Sequence, residues 1–152
     1  PGFNFRQRYV NNELSKVNES SPISLDWVSG CSMLFRPISH QPILRFESLL
    51  ALYYEDMDLC IRLSRNGSQI VWLPFINVFH NKGEGSQTSY IRRIRLSSCS
   101  YIRFLQRHRP GLVLFVRTLR IILNALFRLP LAPFRSFAVL QGCFKAYSQP
   151  LA

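Results

Sequence analysis

Acidic residues are scarce in this chain of 152 residues, which has 8 aspartates and glutamates against 19 lysines and arginines. The formal net charge is therefore +11, yet the mean hydropathy is slightly positive at +0.04. A hydrophobic content of 47% excludes an intrinsically disordered chain. A basic chain that is also apolar fits an anionic membrane surface at least as well as it fits a nucleic acid.

Closely spaced cysteine pairs are also absent. The four cysteines are widely and irregularly spaced: Cys31, Cys60, Cys99 and Cys143. Without a C-x-x-C pair, zinc sites and thioredoxin-like redox sites have no support. We expect mostly reduced thiols that pack as small apolar side chains, which fits a cytosolic compartment best.

A signal-peptide pattern and an early methionine are missing as well. The chain begins Pro1-Gly2-Phe3-Asn4, which is not a natural start, and its first methionine is Met33. We therefore expect this sequence to be the carboxy-terminal part of a longer protein.

Three of the few acids stand together. Glu55, Asp56 and Asp58 directly follow Tyr53-Tyr54 and precede an apolar pattern with helical spacing. Carboxylates at a helix start can transfer protons or bind a cation. A structural explanation is equally open, because acids in the first turn stabilise the helix dipole and Asp58 forms an i,i+4 pair with Arg62.

The local patterns of residues 23–80 predict short strands around one helix. The helix begins near Glu55 and stops at Asn66-Gly67. Gly30 marks a bend or a close backbone approach. The apolar runs predict extended segments at residues 25–28, 31–35 and 77–80 and a buried strand at residues 69–73.

From Tyr90 onward the pattern becomes helical and basic. Residues 112–129 are almost wholly apolar, apart from a narrow stripe at steps of three, four and four: Arg117, Arg120, Asn124 and Arg128. A simple membrane span is disfavoured, because each arginine costs on the order of 2.5–3.5 kcal/mol near the bilayer centre. We expect a helix in the membrane interface with its arginines at lipid phosphates. The alternatives are a helix packed on the protein's own core and a kinked or re-entrant segment.

Nucleic-acid binding is the other use for this charge. Several arginines between residues 92 and 109 are interleaved with Tyr90, Tyr101 and Phe104. Their other neighbours are mainly leucine, isoleucine and valine, and no nucleic-acid-binding signature is present. We expect no nucleic-acid partner.

Three segments, taken in order, carry a family resemblance. Residues 26–36 contain D-W-V-x-G, residues 46–63 contain Y-Y-E-D-x-D-L-C-x-R-L, and residues 73–80 contain P-x-x-x-V-x-H. In this order and spacing they resemble the carboxy-terminal half of family 2 glycosyltransferases. The likeness is greatest to the bacterial rhamnosyltransferase-like branch, which builds cell-surface polysaccharides. It covers roughly residues 24–110.

The resemblance implies an α/β fold, namely the acceptor-side half of a GT-A fold with mixed strands and helices, followed by amphipathic helices. Residues 1–110 would form this part of the transferase domain, and residues 111–152 a basic, apolar, membrane-associating helical tail. The protein would be peripheral, on the cytoplasmic face of the membrane.

The resemblance also implies an inverting reaction, in which a carboxylate base removes the proton of the acceptor hydroxyl. That base corresponds to Asp56, and Glu55 would hold the acceptor by hydrogen bonding. Trp27 would offer its ring to a sugar, unless it packs in a core, while Gly30 and Cys31 would lie against the substrate.

The same resemblance implies particular ligands. A divalent metal, Mg²⁺ or Mn²⁺, would neutralise the leaving nucleoside diphosphate, with His80 as one ligand. The alternative for His80 is a histidine satisfied by local backbone at a strand end. The donor that the likeness indicates is dTDP-rhamnose, and the acceptor is a glycan or a lipid-linked glycan.

Two departures from the family pattern limit what is carried over. Arg45 precedes Phe46 where the family has glycine, and Glu47-Ser48 follows where it has a D-E pair, so the acceptor identity is not transferred. No D-x-D motif or donor-binding half precedes residue 24. The alternative function is therefore a truncated, non-catalytic remnant that binds a membrane or a partner, and the sequence encoded upstream of Pro1 would discriminate the two.

Overall fold

The computed structural model describes residues 21–36, 45–76, 78 and 88–149. Within these residues the protein is mainly helical, with one two-stranded sheet. The elements are β1 Ile23–Ser24, α1 Glu55–Arg65, β2 Val71–Trp72, α2 Tyr90–His108, α3 Gly111–Arg128 and α4 Pro133–Ser148. The extended segment predicted at residues 77–80 lies almost entirely outside the described residues.

Helix α1 confirms the prediction made from the carboxylate cluster. It begins at Glu55, with its acids in the first turn, and it carries Arg62 and Arg65 in its last turn. This distribution of charge complements the helix dipole. Asn66 caps the helix, and Gly67 follows with φ 81°, the left-handed conformation that glycine adopts without steric cost.

The strand predictions were largely wrong. Residues 25–28 and 31–35 are not strands, and β2 retains only Val71–Trp72 of the predicted strand 69–73. β1 and β2 pair antiparallel, with Ile23 opposite Trp72, and the backbone N–H of Leu25 donates to the carbonyl of Ile70 at 2.9 Å. Val71 is exposed rather than buried. A short apolar run becomes a strand only where a neighbouring strand accepts its hydrogen bonds, and among the described residues that ladder is two residues long.

Helices α2, α3 and α4 pack around one small core. Its buried members come from α2 and α4: Cys99, Ile102, Cys143 and Ala146. Leu114 and Ile121 of α3 pack against them. Helices on both sides of the predicted domain boundary at residue 110 therefore pack on one another, and the division into two domains stays a prediction.

The cysteines behave largely as the sequence predicted. Cys60, Cys99 and Cys143 are buried free thiols, whereas Cys31 is exposed. Burial raises the pKa of the Cys143 thiol to about 11, so it stays protonated at neutral pH. Among the described residues, no helix is both long enough and apolar enough to cross a bilayer.

Small residues allow α4 to approach α2 closely. Ala138, Gly142 and Ala146 are all buried and recur every fourth residue, which places them on one face of α4. A Cβ added at Gly142 would lie 2.5 Å from the carbonyl oxygen of Arg95 and 2.8 Å from the Cβ of Ser98. The first of these contacts is to backbone, which cannot swing aside.

We therefore expect Gly142→Ala to lower the free energy of unfolding by about 1–3 kcal/mol, the usual cost of overpacking. Urea denaturation of the two proteins measures this difference. Gly111→Ala is the matched control, because nothing lies within 4 Å of a Cβ at Gly111. Equal stability of the two variants would contradict the close packing of α2 and α4.

Candidate active site

A left-handed turn sets the position of the carboxylates. Tyr53 and Tyr54 have φ values of 62° and 69°, a conformation that costs a bulky residue about 1–3 kcal/mol. The Tyr54 ring packs against Tyr101 and Phe104 of α2, with centroids 5.3 and 5.4 Å apart. Burial raises the pKa of Tyr54 to about 12. This packing holds the turn in place and thereby fixes where α1 begins.

Asp56 joins two of the sequence motifs. Its Oδ2 accepts a hydrogen bond from the Gly30 N–H at 3.0 Å, and its Oδ1 accepts one from the Met57 N–H at 2.8 Å. A Cβ on Gly30 would lie 3.4 Å from the Cβ of Asp56. Of the two alternatives predicted at Gly30, the close backbone approach is therefore present, and the group that it approaches is the Asp56 carboxylate.

Glu55 lies beside Asp56 in a half-buried position. Its Oε2 is buried and has no hydrogen-bond partner among the described residues. Burial raises the pKa of Glu55, and the charge of Asp56 raises it further. A carboxylate oxygen that is removed from water and left unpaired is costly, so it is available for a hydroxyl donor.

The other predicted site residues are less constrained. Trp27 is 43% exposed, which argues against the core-packing alternative and leaves its ring accessible. Cys31 is exposed and accepts a hydrogen bond from the Ser29 hydroxyl at 3.1 Å. His80 lies outside the described residues. The roles of these residues toward a substrate remain predictions.

The described residues do not form a metal site by themselves. No group of three or more histidines, cysteines, aspartates or glutamates in that part of the chain is arranged to hold an ion. Mg²⁺ or Mn²⁺ binding, with His80 as a ligand, therefore stays a prediction.

Asp58 has a different environment from Asp56 although only one residue separates them. It is fully buried and accepts hydrogen bonds from Arg62 Nε at 2.8 Å, Arg107 Nη1 at 3.2 Å and His108 Nε2 at 2.8 Å. The predicted pair with Arg62 is confirmed. Nη2 of Arg107 also forms an ion pair with Oε2 of Glu47 at 2.9 Å. One network therefore joins α1, the end of α2 and the loop before α1.

Burial and hydrogen bonding within this network set the protonation states of Asp58 and His108. Burial alone would raise the pKa of Asp58, but hydrogen bonds from His108, Arg62 and Arg107 outweigh it and lower that pKa. Burial lowers the pKa of His108 more than Asp58 raises it. The Asp58 carboxylate can only accept a hydrogen bond, so Nε2 of the neutral His108 imidazole carries the proton. Nδ1 of His108 is buried and has no partner among the described residues.

We expect stability to fall on mild acidification because of His108. Its pKa is lower in the folded protein, so the unfolded chain takes up a proton first as the pH drops below about 6.5. His108→Gln should flatten the fall in unfolding free energy between about pH 7 and 5, as measured by urea denaturation at each pH. A wild-type stability that is constant across this range would contradict a buried neutral imidazole.

The loop of residues 45–48 lines a cavity of about 420 Å³ beside this network. Its walls come from Arg45, Phe46, Glu47, Ser48, Arg62 and Arg107.

The sequence did not identify Arg107 and His108 as members of a buried network. They lie 49 and 50 residues from Asp58, so no local spacing links them to it.

Comparison with known proteins gives one distant likeness. Over 97 residues the chain is 28% identical to rhamnosyltransferase WbbL of Escherichia coli (strain K12). The match covers 64% of this chain and 37% of that protein, so the chain spans little more than a third of its length. No family model matches the chain, and no solved structure matches it. The likeness indicates a distant relationship to a glycosyltransferase.

Proposed function

We propose that this chain is the acceptor-side, catalytic-base half of an inverting glycosyltransferase with a GT-A fold. The complete enzyme would transfer a sugar from a nucleotide-activated donor to a glycan or lipid-linked acceptor in cell-surface polysaccharide synthesis. The observation that carries this proposal is the pairing of Asp56 with the Gly30 N–H, because it unites two motifs 26 residues apart around one half-buried carboxylate.

Asp56 has the chemistry of a general base. Each of its oxygens accepts one backbone N–H, and a carboxylate oxygen has two lone pairs. The side chain can therefore hold its orientation and still accept a proton from an acceptor hydroxyl. The proton passes to Asp56 as the hydroxyl oxygen bonds to the anomeric carbon and the nucleotide leaves from the opposite face.

Glu55 is suited to hold the acceptor rather than to take its proton. Its buried Oε2 has no partner among the described residues, and its raised pKa reflects removal from water. A second hydroxyl of the acceptor would satisfy this oxygen and orient the reacting hydroxyl at Asp56. Trp27, with its exposed ring, would pack against a sugar face.

The nature of the donor rests on the distant likeness. The matched protein is named a rhamnosyltransferase, which supports rhamnose as the transferred sugar. We propose dTDP-rhamnose as the donor on the family resemblance alone. The nucleotide would bind a half of the enzyme that lies outside this chain. When bound there, Mg²⁺ or Mn²⁺ would offset the charge of the diphosphate, and His80 would be the contribution of this chain to that ion.

An assay of the full-length protein against a panel of nucleotide sugars tests the proposal. We expect transfer from one donor with inversion at the anomeric carbon, which proton NMR of the product detects. Absence of transfer from every donor, with the protein folded and able to bind vesicles, would instead support the non-catalytic membrane-binding module. The exposed apolar side chains of α3 favour that second candidate.

A further inference from the structure

Helix α3 has one face packed against the rest of the protein. Thr118 and Ala125 are buried, and Leu114 and Ile121 pack on the helical core. The hydroxyl of Tyr147 on α4 donates to Oγ1 of Thr118 at 3.2 Å. A helix turns about 100° per residue, so these four side chains share an arc of about 60°.

A second face of α3 is apolar and uncovered. Its side chains are between 43% and 83% exposed, and they share an arc of about 120° on the same helical projection. We call these residues the apolar face of α3: Leu112, Phe115, Val116, Leu119, Leu123, Leu126 and Phe127. Leu131 and Phe134, just beyond the end of the helix, are exposed as well. So many adjacent large apolar side chains mark an interaction surface.

A third face of α3 is polar and basic and directly adjoins the apolar face. Around the helix from Phe127 come four residues that share an arc of about 80° and are all exposed: Arg120, Asn124, Arg117 and Arg128. A shallow groove runs along the junction, with Leu123 and Phe127 on its apolar side and Arg120 and Asn124 on its polar side. An acyl chain and a phosphate could occupy its two sides together.

Charge distribution identifies the kind of partner. All eight acidic residues of the chain lie at or before Glu84, whereas ten arginines and Lys145 follow it. Every basic side chain on α3 and α4 is exposed: Arg117, Arg120, Arg128, Arg135 and Lys145. A second copy of the chain would bring like charges together at this surface, whereas anionic lipids complement them.

We propose that the apolar face of α3 docks into the interface of an anionic lipid bilayer, with Arg120 and Arg128 at the lipid phosphates. The helix lies parallel to the membrane plane, its packed face stays on the core, and the bundle does not open. Arg120 thus borders the inserted surface, Arg128 reaches the lipid phosphates from the last turn of the helix, and the apolar side chains enter the acyl region.

Side-chain contacts also connect α3 to the segment that carries the candidate base. Arg117 Nη1 donates to the hydroxyl of Tyr101 at 3.2 Å, and the Tyr101 ring packs on Tyr54, the residue before Glu55. Two side-chain contacts therefore link α3 to the start of α1. The conclusion that this geometry serves a lipid-linked acceptor rests on the proposed function.

Flotation of the full 152-residue chain with phosphatidylcholine vesicles, with and without phosphatidylglycerol, tests the docking. We expect partitioning only into the anionic vesicles, decreasing as salt is added. Leu123→Ser with Phe127→Ser should lower the partition coefficient at least about 50-fold, from the loss of buried apolar area. Arg120→Glu with Arg128→Glu should lower it at least about 25-fold.

Arg36→Glu with Arg65→Glu is the matched control, because both arginines are exposed, lie off α3 and change the net charge equally. This control variant should lower the partition coefficient far less than Arg120→Glu with Arg128→Glu does. Circular dichroism checks the fold of each variant, and Leu119→Ser replaces the double serine variant if that variant loses helicity.

Three results would overturn the proposal. The first is unchanged vesicle binding by the serine variants, and the second is equal loss with the control pair. The third is a wild-type protein that binds no vesicles and forms a dimer, with the dimer lost in the serine variants. The apolar face of α3 would then join two copies. None of these measurements involves sugar transfer, so failure of the docking and failure of the proposed function are separable.

Discussion

We expect Asp56→Asn in the full-length protein to reduce the turnover number of the proposed sugar transfer by about 10²–10⁴-fold, the usual contribution of a positioned general base. Asparagine keeps the size of the side chain and can still accept one of the two backbone hydrogen bonds from Gly30 and Met57. It cannot take a proton. Steady-state kinetics with the donor identified in the nucleotide-sugar panel would measure the loss.

Two controls separate a catalytic effect from a structural one. Asp26→Asn removes a carboxylate that is exposed, whereas Asp56 is half-buried, and should leave turnover within about twofold, since surface changes rarely alter stability. Nucleotide-sugar binding by Asp56→Asn, measured by calorimetry, should persist. Unchanged turnover in Asp56→Asn would show that another group is the base.

Asp58→Ala lowers the free energy of unfolding by about 3–5 kcal/mol, the range found when one partner of a buried ionic network is removed. The cost arises at Arg107 and His108, because Arg62 is partly exposed and can turn to water. Arg107 would keep Glu47, but His108 would lose its hydrogen bond in a buried position. Urea denaturation at neutral pH measures the change.

The comparison for this variant is Asp26→Ala, which removes an exposed carboxylate and should cost well under 1 kcal/mol. The pH profile adds a second test. Asp58 has a lowered pKa in the folded state, so its contribution is complete above its unfolded pKa and is lost as the pH falls below about 4. A variant as stable as the wild type, with the same loss in acid, would contradict the network.

Local features of the fold were predictable where neighbours in sequence are also neighbours in space. The start of α1 at Glu55, its end before Gly67 and the ion pair of Asp58 with Arg62 all depend on residues within one or two helical turns. The helical character of residues 90–109 and 112–129 likewise follows from their own spacing.

The strands were predicted poorly for the converse reason. An apolar run such as residues 31–35 has no internal hydrogen bonds as a strand, so its conformation depends on a partner that its own residues do not specify. β1 finds its partner 47 residues away, from Ser24 to Val71. That pairing cannot be read from either segment alone.

The arginines of α2 show that sequence spacing also fails to identify the partners of side chains within the candidate site. By spacing they form a basic face, but Arg103 is buried and donates to the carbonyls of Leu49 and Gln149. Arg107 turns to Asp58 and Glu47. Sequence spacing indicates where a side chain projects from its helix, but it does not indicate which distant carbonyl or carboxylate it meets.

The sequence by itself determined the limits of α1, the cluster of carboxylates at its start and the basic, apolar character of everything after residue 85, because these depend on composition and on contacts within a few residues. Only the tertiary structure decided that Asp56 meets the Gly30 N–H while Asp58 is enclosed by Arg107 and His108. It also decided which apolar side chains of α3 are buried and which form its uncovered face. Burial and long-range hydrogen bonding give different environments to residues that sequence spacing alone does not distinguish.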